Sequence, residues 1–132
     1  RAAIAETVGQ LFTGIAEATN ALELDRLLGH YRQSDDLTYV AQGRVNRSYE
    51  THQEMVNTQF GGLAGAELEW LSTYVDVLSR DVAVVTATYE FTATLPSGRN
   101  VGSAGTFMCI YVLRDGSWRI QYSSHTFPAA TG

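Results

Sequence analysis

Residues 106–127 contain two apolar, aromatic-rich segments that are separated by Asp115 and Gly116. An Asp-Gly pair between such segments is a strong hairpin signal, because a two-residue type I′ turn requires positive φ at both turn positions. Glycine adopts positive φ without steric cost, and aspartate tolerates it. The pattern therefore predicts a long antiparallel hairpin at the end of the chain, and the preceding residues must cover one of its faces.

Four strand-like segments follow Gly65, at residues 67–78, 81–95, 99–113 and 117–127. Short turn sequences separate them, and such links force consecutive strands to lie antiparallel. Gly102 and Gly105 interrupt the third segment and predict a β-bulge that lets a long strand bend. On the last segment, Trp118 and Ile120 are predicted core residues.

Three amphipathic helices are predicted before these strands. Apolar stripes with a 3.6-residue period define the first two helices, at Ile4, Val8, Leu11, Phe12 and Ile15, and at Leu24, Leu27, Leu28 and Tyr31. A short strand is predicted at residues 37–40, and Ser48 is a suitable N-cap for a third helix that ends at Gly61. Helices first and antiparallel strands afterwards predict an α+β fold, with the helices packed on one face of a curved sheet.

Composition argues against several classes of function. The chain has 132 residues, 45% of them hydrophobic, which suits one domain with its own core. The formal net charge is −5 and the nine basic residues are scattered arginines, which argues against nucleic acid as a partner. No apolar run is long enough to span a membrane. The single cysteine, Cys109, can form no internal disulfide and is expected to be a buried thiol.

Neither a metal nor another cofactor is expected. Asp35 and Asp36 have no obvious further oxygen ligands for a cation, and His30 and His125 have no partner at zinc-ligand spacing. The default compartment is the cytoplasm. The start at Arg1 rather than Met leaves room for a targeting segment that has been removed.

The order of these elements resembles the nuclear transport factor 2-like superfamily. Residues 81–85 (DVAVV) and 115–120 (DGSWRI) open two strands as in that superfamily, and residues 1–132 look most like a single SnoaL-like domain. The resemblance implies a cone-shaped curved antiparallel sheet wrapped around three N-terminal helices, a pocket between sheet and helices, and a dimer. The superfamily includes isomerases, cyclases, dehydratases, epoxide hydrolases and members that only bind or assemble, so the fold alone does not select a function.

The resemblance also carries catalytic positions of the family onto this chain. In the enzymes that remove a proton beside a carbonyl group, the tyrosine donor corresponds to Ile15 of this chain, the general base to residues 40–41 and the protonated acid to Cys109. None of these positions has the required group, so steroid-isomerase chemistry is not expected. SnoaL-type cyclases have an acid on the last strand, where this chain offers Gln121 and Ser123.

Many relatives end in Trp-x-Ile followed by a histidine six residues after the tryptophan. Counting from Trp118, Ser124 has that spacing and His125 comes one residue later. Strict alternation along a strand then places His125 on the opposite face of the sheet.

Two residues are candidates for acid–base chemistry. His52 interrupts the apolar stripe of the third helix. It could serve there as an acid, a base or a ligand-binding group. Alternatively, it could be a half-buried histidine with a structural role. Glu90 alternates with Tyr89 and Phe91, whose face is predicted to be core, so alternation places its carboxylate in solvent or at a subunit interface. The resemblance instead implies a place in the pocket, where burial would raise the pKa of the carboxyl group.

A mostly apolar pocket with few polar anchors is predicted between the sheet and the third helix, and it favours a small, uncharged ligand such as a cyclic ketone, a terpenoid or a polyketide fragment. The predicted ligand-binding residues are Val56, Tyr111, Tyr122 and Ser124, with His52 or Glu90 as the polar group. Two alternatives remain open: a cofactor-independent lyase, isomerase or hydrolase that acts on such a ligand, and a non-catalytic dimerisation module.

A dimer is predicted from the apolar character of both faces of the third strand-like segment. Met108, Ile110 and Val112 share one face, and the other face has Phe107, Cys109, Tyr111 and Leu113. Helices can cover only one face, and an exposed apolar sheet face normally marks an interaction site. We therefore expect a two-fold homodimer in which the sheets of two copies pack against each other.

Overall fold

The structure is a computed structural model that describes residues 1–127. Its three helices are α1 (Ala2–Asn20), α2 (Leu24–Leu28) and α3 (Tyr49–Phe60). Its strands are β1 (Thr38–Ala41), β2 (Arg44–Arg47), β3 (Gly65–Ser79), β4 (Val82–Thr94), β5 (Asn100–Arg114) and β6 (Ser117–Thr126). The predicted α+β fold, with the helices on one face of a curved sheet, is confirmed.

The six strands form one open sheet in the order β2-β1-β6-β5-β4-β3. Strands β3 to β6 make the predicted antiparallel meander. However, β1 pairs with β6 in parallel, so the sheet is mixed rather than wholly antiparallel. Tight turns fix the direction of the later strands, whereas β1 reaches β6 through a long stretch of chain that imposes no direction.

Two tight hairpins have the turn chemistry that the sequence requires. Asp115 and Gly116 adopt φ of 52° and 78°, as predicted for the β5–β6 turn. Gln42 and Gly43 adopt φ of 53° and 75° and connect β1 to β2, a short strand that was not predicted. The sequence of β2, RVNR, is polar and lies at the edge of the sheet, so it carries no apolar alternation that would reveal it.

The predicted bulge at Gly102 and Gly105 is wrong, because the pairing of β4 with β5 continues through both residues without a shift. Gly105 instead allows a close approach, since a Cβ atom there would lie 2.4 Å from the carbonyl oxygen of Thr126. The irregularities lie in β3, between Trp70 and Ser72 and between Val77 and Ser79, and in β6, where Gln121 is an extra residue opposite β5. The carboxamide of buried Gln121 accepts a hydrogen bond from Arg32 and donates to the Asp36 carbonyl at 2.9 Å, which fixes this bulge in place.

The inner face of the sheet packs against α1 and forms the core. Fully or almost fully buried residues on the two sides are Val8, Phe12 and Ile15 from α1, Ala83, Val85 and Ala87 from β4, and Cys109, Tyr111 and Ile120 from the hairpin. Ile120 is completely buried, as predicted. Trp118 is only partly buried, because it lies near the start of β6, where the helices no longer cover the sheet completely.

The described residues contain no helix that is long and apolar enough to cross a membrane. Within residues 1–127 there is also no cluster of three or more His, Cys, Asp or Glu side chains that could hold a metal ion.

Candidate functional site

A cavity of about 390 Å³ lies between the helices and the inner face of the sheet. Its walls come from α1, α2, α3, β1, the inward-facing residues of β3 to β6, and connecting loops. This volume lies within the range of small-molecule sites in proteins. The cavity is therefore the candidate functional site.

Aromatic side chains make up much of the cavity wall. Six of these side chains are those of Tyr31, Tyr39, Trp70, Tyr89, Phe91 and Phe107. Trp70 is held by stacking on Phe12 with a centroid distance of 4.3 Å and on Phe107 at 5.8 Å. Phe60 and the more exposed Phe127 add aromatic surface to the same cavity.

His52 is placed in the cavity by α3. The Ser48 side chain caps this helix by accepting a hydrogen bond from the Thr51 backbone N–H at 3.1 Å. The imidazole of His52 is 4% exposed and packs against Tyr31 at 4.2 Å and Tyr39 at 5.5 Å between ring centroids. Neither of its ring nitrogens has a hydrogen-bond partner among residues 1–127.

Burial sets the protonation state of His52. Because desolvation penalises the charged form, it lowers the pKa of this imidazole from 6.5 to about 4. The ring is therefore neutral at pH 7 and offers one N–H donor and one unprotonated nitrogen acceptor. Leaving this buried donor and acceptor without hydrogen bonds destabilises the folded protein, and a bound polar group would reduce that cost.

His125 comes into the same cavity from β6. The extra residue at Gln121 shifts the alternation of this strand by one, so His125 shares the inner face with Trp118 despite the spacing of seven. Its ring lies 5.5 Å from Tyr39 and 4.5 Å from Phe107, measured between centroids. The prediction from strict alternation is thus wrong for His125 because of the bulge.

Nδ1 of His125 lies 3.3 Å from the hydroxyl oxygen of Tyr89. Burial, and to a lesser degree the repulsion of a positive charge on His52, lowers the pKa of His125 to about 4, so this ring is also neutral at pH 7. In one tautomer Tyr89 donates to Nδ1 and the proton lies on Nε2. In the other, Nδ1–H donates to the tyrosine oxygen, so that Nε2 is an acceptor and the phenol proton is free for another partner.

The part of the cavity wall that the structure describes is uncharged. Among the described residues that line it, none is Asp, Glu, Lys or Arg. The polar groups are the two neutral imidazoles, the phenols, the indole N–H of Trp70, and the side chains of Thr19, Gln42, Gln59 and Ser103. Such a lining can form hydrogen bonds to an uncharged ligand but offers no counter-ion to a charged one.

The structure brings only some of the predicted site residues together. His52 and Val56 both line the cavity. Tyr111 points to the inner side but is completely buried in the core, with its hydroxyl unpartnered among the described residues, and is not part of the cavity wall.

The other predicted site residues lie on the outer face of the sheet. Glu90 pairs across the strands with Glu69, and both side chains are exposed, so the alternation argument is correct for Glu90 and the position implied by the resemblance is not. Tyr122 is 45% exposed and pairs with outward-facing Ile110. Ser124 follows Tyr122 by two residues on the same face and borders a shallow groove at the end of β1 rather than the cavity.

The sequence pattern does not indicate a site role for five residues of the wall: Tyr31, Tyr39, Trp70, Tyr89 and Phe107. Tyr31 and Tyr89 lie in apolar stripes that predict core, and the cavity lies within that same core. The alternation of β4 gives the correct face for Tyr89, but nothing in the pattern indicates that the core is hollow there.

Neither a family model nor a curated protein sequence matches the chain. Solved structures do match it. A nuclear transport factor 2-like superfamily protein from Salmonella enterica serovar Typhimurium has a TM-score of 0.88 at 15% identity, over 99% of this chain and 95% of that one. The chain has the nuclear transport factor 2-like fold.

Two further solved structures show the same fold. A candidate dehydratase of the NTF2-like family from Streptomyces avermitilis has a TM-score of 0.82 at 16% identity, covering 95% of this chain and 96% of its own. LinA has a TM-score of 0.80 at 17% identity, covering 98% of this chain and 88% of its own. At these identities the likeness concerns the architecture, and function has to be argued from the cavity itself.

Proposed function

We propose that the protein is a SnoaL-like domain that binds a small, uncharged, partly apolar molecule in the cavity between the sheet and the helices. The observation that carries the proposal is a cavity of about 390 Å³ with an aromatic lining, no charged wall residue among those described, and two neutral histidines. Apolar walls provide affinity, and a few polar groups orient the ligand. The likeness to a candidate dehydratase is compatible with such a ligand.

A thermal-shift titration with camphor and cyclohexanone tests this proposal. A ligand that binds the folded state alone stabilises it by mass action, by about 2.7 kcal/mol at a hundredfold excess over Kd. Val56→Trp, which would take up part of the cavity, should weaken the shift, whereas Tyr122→Ala on the outer face should leave it unchanged. Shifts that are undiminished in Val56→Trp, or that vanish in Tyr122→Ala, would place the binding site elsewhere.

A second candidate is cofactor-independent proton transfer on such a ligand, as in an isomerase or a lyase. The contact between His125 Nδ1 and the Tyr89 hydroxyl favours it. With the proton on Nδ1, Nε2 could take a proton from the carbon beside a ligand carbonyl while Tyr89 gives its phenol proton to the carbonyl oxygen. The transfer of the Nδ1 proton to Tyr89 then leaves both side chains neutral and the ligand as its enol.

Deuterium exchange into the α-carbon of cyclohexanone, followed by NMR in D₂O, tests this second candidate. We expect exchange above the buffer rate in the wild type, and loss of that excess in His125→Phe and in Tyr89→Phe. Tyr122→Phe, on the outer face, is the matched control and should exchange as the wild type does. Exchange at the buffer rate in the wild type, together with a cyclohexanone-induced thermal shift, would favour binding without catalysis.

We also propose that the protein forms a two-fold dimer through the outer face of the sheet. Tyr74, Met108 and Tyr122 are exposed on this face, and Ile110 lies between the last two. An exposed apolar sheet surface of this kind is typical of subunit interfaces. The cavity lies on the other face, so dimerisation would leave it accessible.

A further inference from the structure

We infer that the ligand of the cavity is a flat, uncharged aromatic molecule that carries a hydroxyl group at one end, that is, a phenol with a fused or extended ring. This inference rests on the proposed function and specifies the class of ligand. Three features of the cavity carry it: the aromatic walls, the unmatched hydrogen-bonding groups, and the absence of charge among the described lining residues.

The walls favour a flat ring over a rounded one. Tyr31 and Tyr39 contribute aromatic surface near α3, and Trp70, Phe91 and Phe107 contribute it from the sheet. The indole of Trp70 stacks against Phe12 and Phe107 with interplanar angles of 25° and 27°, and Phe12 and Phe107 also stack on each other, so packing in this cluster fixes the orientation of the indole before a ligand arrives. Aromatic surfaces gain most from another aromatic ring in an offset-stacked or edge-to-face arrangement, which a bulky saturated ring cannot adopt.

Four hydrogen-bonding side chains of the wall, those of His52, His125, Tyr39 and Tyr89, form one cluster. His52 and His125 both contact Tyr39 at 5.5 Å between ring centroids, and Tyr89 is joined to His125 by its hydroxyl. Away from this cluster the wall includes Leu63 and Leu68, which are apolar. A ligand that fits this distribution has its polar substituent at one end and hydrocarbon at the other.

A hydroxyl group fits the polar end better than a carbonyl oxygen. Neutral His52 presents one donor and one acceptor, and both are unpartnered among the described residues. A hydroxyl that lies between the two imidazoles can accept from the N–H of one ring and donate to the unprotonated nitrogen of the other, whereas a carbonyl oxygen only accepts hydrogen bonds and cannot bind an unprotonated nitrogen. The pair formed by His125 and Tyr89 can also present either a donor or an acceptor, depending on the tautomer, so it can match either orientation of the ligand hydroxyl.

The same lining disfavours an anionic ligand. Moving a carboxylate from water into an apolar cavity is expensive unless a cation compensates its charge. The described wall supplies no arginine or lysine, and both imidazoles are neutral at pH 7. An aromatic acid of the same shape as the phenol should therefore be rejected.

Calorimetric titration at pH 7 with three compounds of one ring system tests the inference: indan-5-ol, indane and indane-5-carboxylate. We expect indan-5-ol to bind at least tenfold more tightly than indane, and the carboxylate to show no binding. In His52→Phe, indane should still bind, which shows that the cavity is intact, while the preference for indan-5-ol should fall to less than threefold. Tyr122→Phe is the matched control on the outer face and should retain the wild-type preference.

Equal affinity for indan-5-ol and indane, tighter binding of the carboxylate, or a preference that survives in His52→Phe would overturn the inference. Camphor and borneol separate this failure from failure of the proposed function, because both are uncharged but not flat. Binding of camphor or borneol without indan-5-ol would overturn the phenol assignment and leave the proposed function standing. If none of the uncharged compounds binds, both proposals fail.

Discussion

Acidification from pH 7 to pH 5 should destabilise the folded protein through His52 and His125. Both imidazoles are neutral in the folded state because burial lowers their pKa values from 6.5 to about 4. Between these two pH values the unfolded chain binds protons that the folded protein does not. Stability is therefore fully present above pH 6.5 and is lost as the pH falls toward 4.

The size of the effect follows from the same pKa values. At pH 5 a histidine with a folded-state pKa of about 4 and an unfolded-state pKa of 6.5 costs roughly 2 kcal/mol relative to pH 7, or roughly 4 kcal/mol for the two together. Most carboxyl groups titrate nearer pH 4 and contribute little above pH 5. A loss of this size is a large part of the stability of a typical domain.

Urea denaturation at pH 7 and pH 5 measures the effect in the wild type, in His52→Phe, in His125→Phe and in the double variant. Each single variant should lose about 2 kcal/mol less than the wild type on acidification, by the linkage argument above. The double variant should be nearly insensitive to this change of pH, apart from the contribution of His30, whose pKa is also lowered by burial and by Arg26. A double variant that loses as much stability as the wild type would refute the assignment of two buried neutral histidines.

Three further predictions concern the core, the approach of β5 to β6, and the assembly. Ile120→Ala should lower the free energy of unfolding, measured in urea, by about 2–5 kcal/mol because the side chain is fully buried. Arg119 is exposed, so Arg119→Ala should change this free energy by less than about 0.5 kcal/mol. Equal losses in the two variants would show that the core is misplaced. Gly105→Ala should destabilise β6 and weaken ligand binding, because its Cβ would lie 2.4 Å from a backbone oxygen of that strand. Gly102→Ala is the control, because the nearest neighbour of a Cβ atom there is at 3.8 Å. A Gly105→Ala protein with wild-type melting temperature and affinity would contradict this prediction. Sedimentation at micromolar concentration should give twice 14.4 kDa for the wild type and the monomer mass for Met108→Glu, and a wild-type monomer would refute the dimer.

Much of the fold could be predicted because local signals and the global architecture agree. Positive φ at Asp115 and Gly116 is what an Asp-Gly hairpin requires, and the apolar stripe of α1 supplies the buried residues Val8, Phe12 and Ile15. The short polar strand β2 could not be predicted, since its stability comes from pairing with β1 and not from a pattern of its own.

The site was less predictable, because a single inserted residue decides which side chains enter it. Alternation holds along β4, and it places Glu90 outside correctly. In β6 the bulge at Gln121 depends on hydrogen bonds to Arg32 and Asp36, which are distant in sequence. No local sequence pattern indicates those bonds, so strict alternation places His125 on the wrong face of the sheet and Tyr122 in the cavity.

The three histidines of the chain provide the most direct test of the cavity as the functional site. His52 and His125 line the cavity, whereas His30 lies outside it, beside Gly14 of α1. The imidazole Cε1–H resonances, assigned from single substitutions, can be followed by NMR at pH 7 during a titration with indan-5-ol and with camphor. A ligand in the cavity should shift the signals of His52 and His125 and leave that of His30 in place. Saturable binding that moves the His30 signal, or that moves none of the three, would contradict the account.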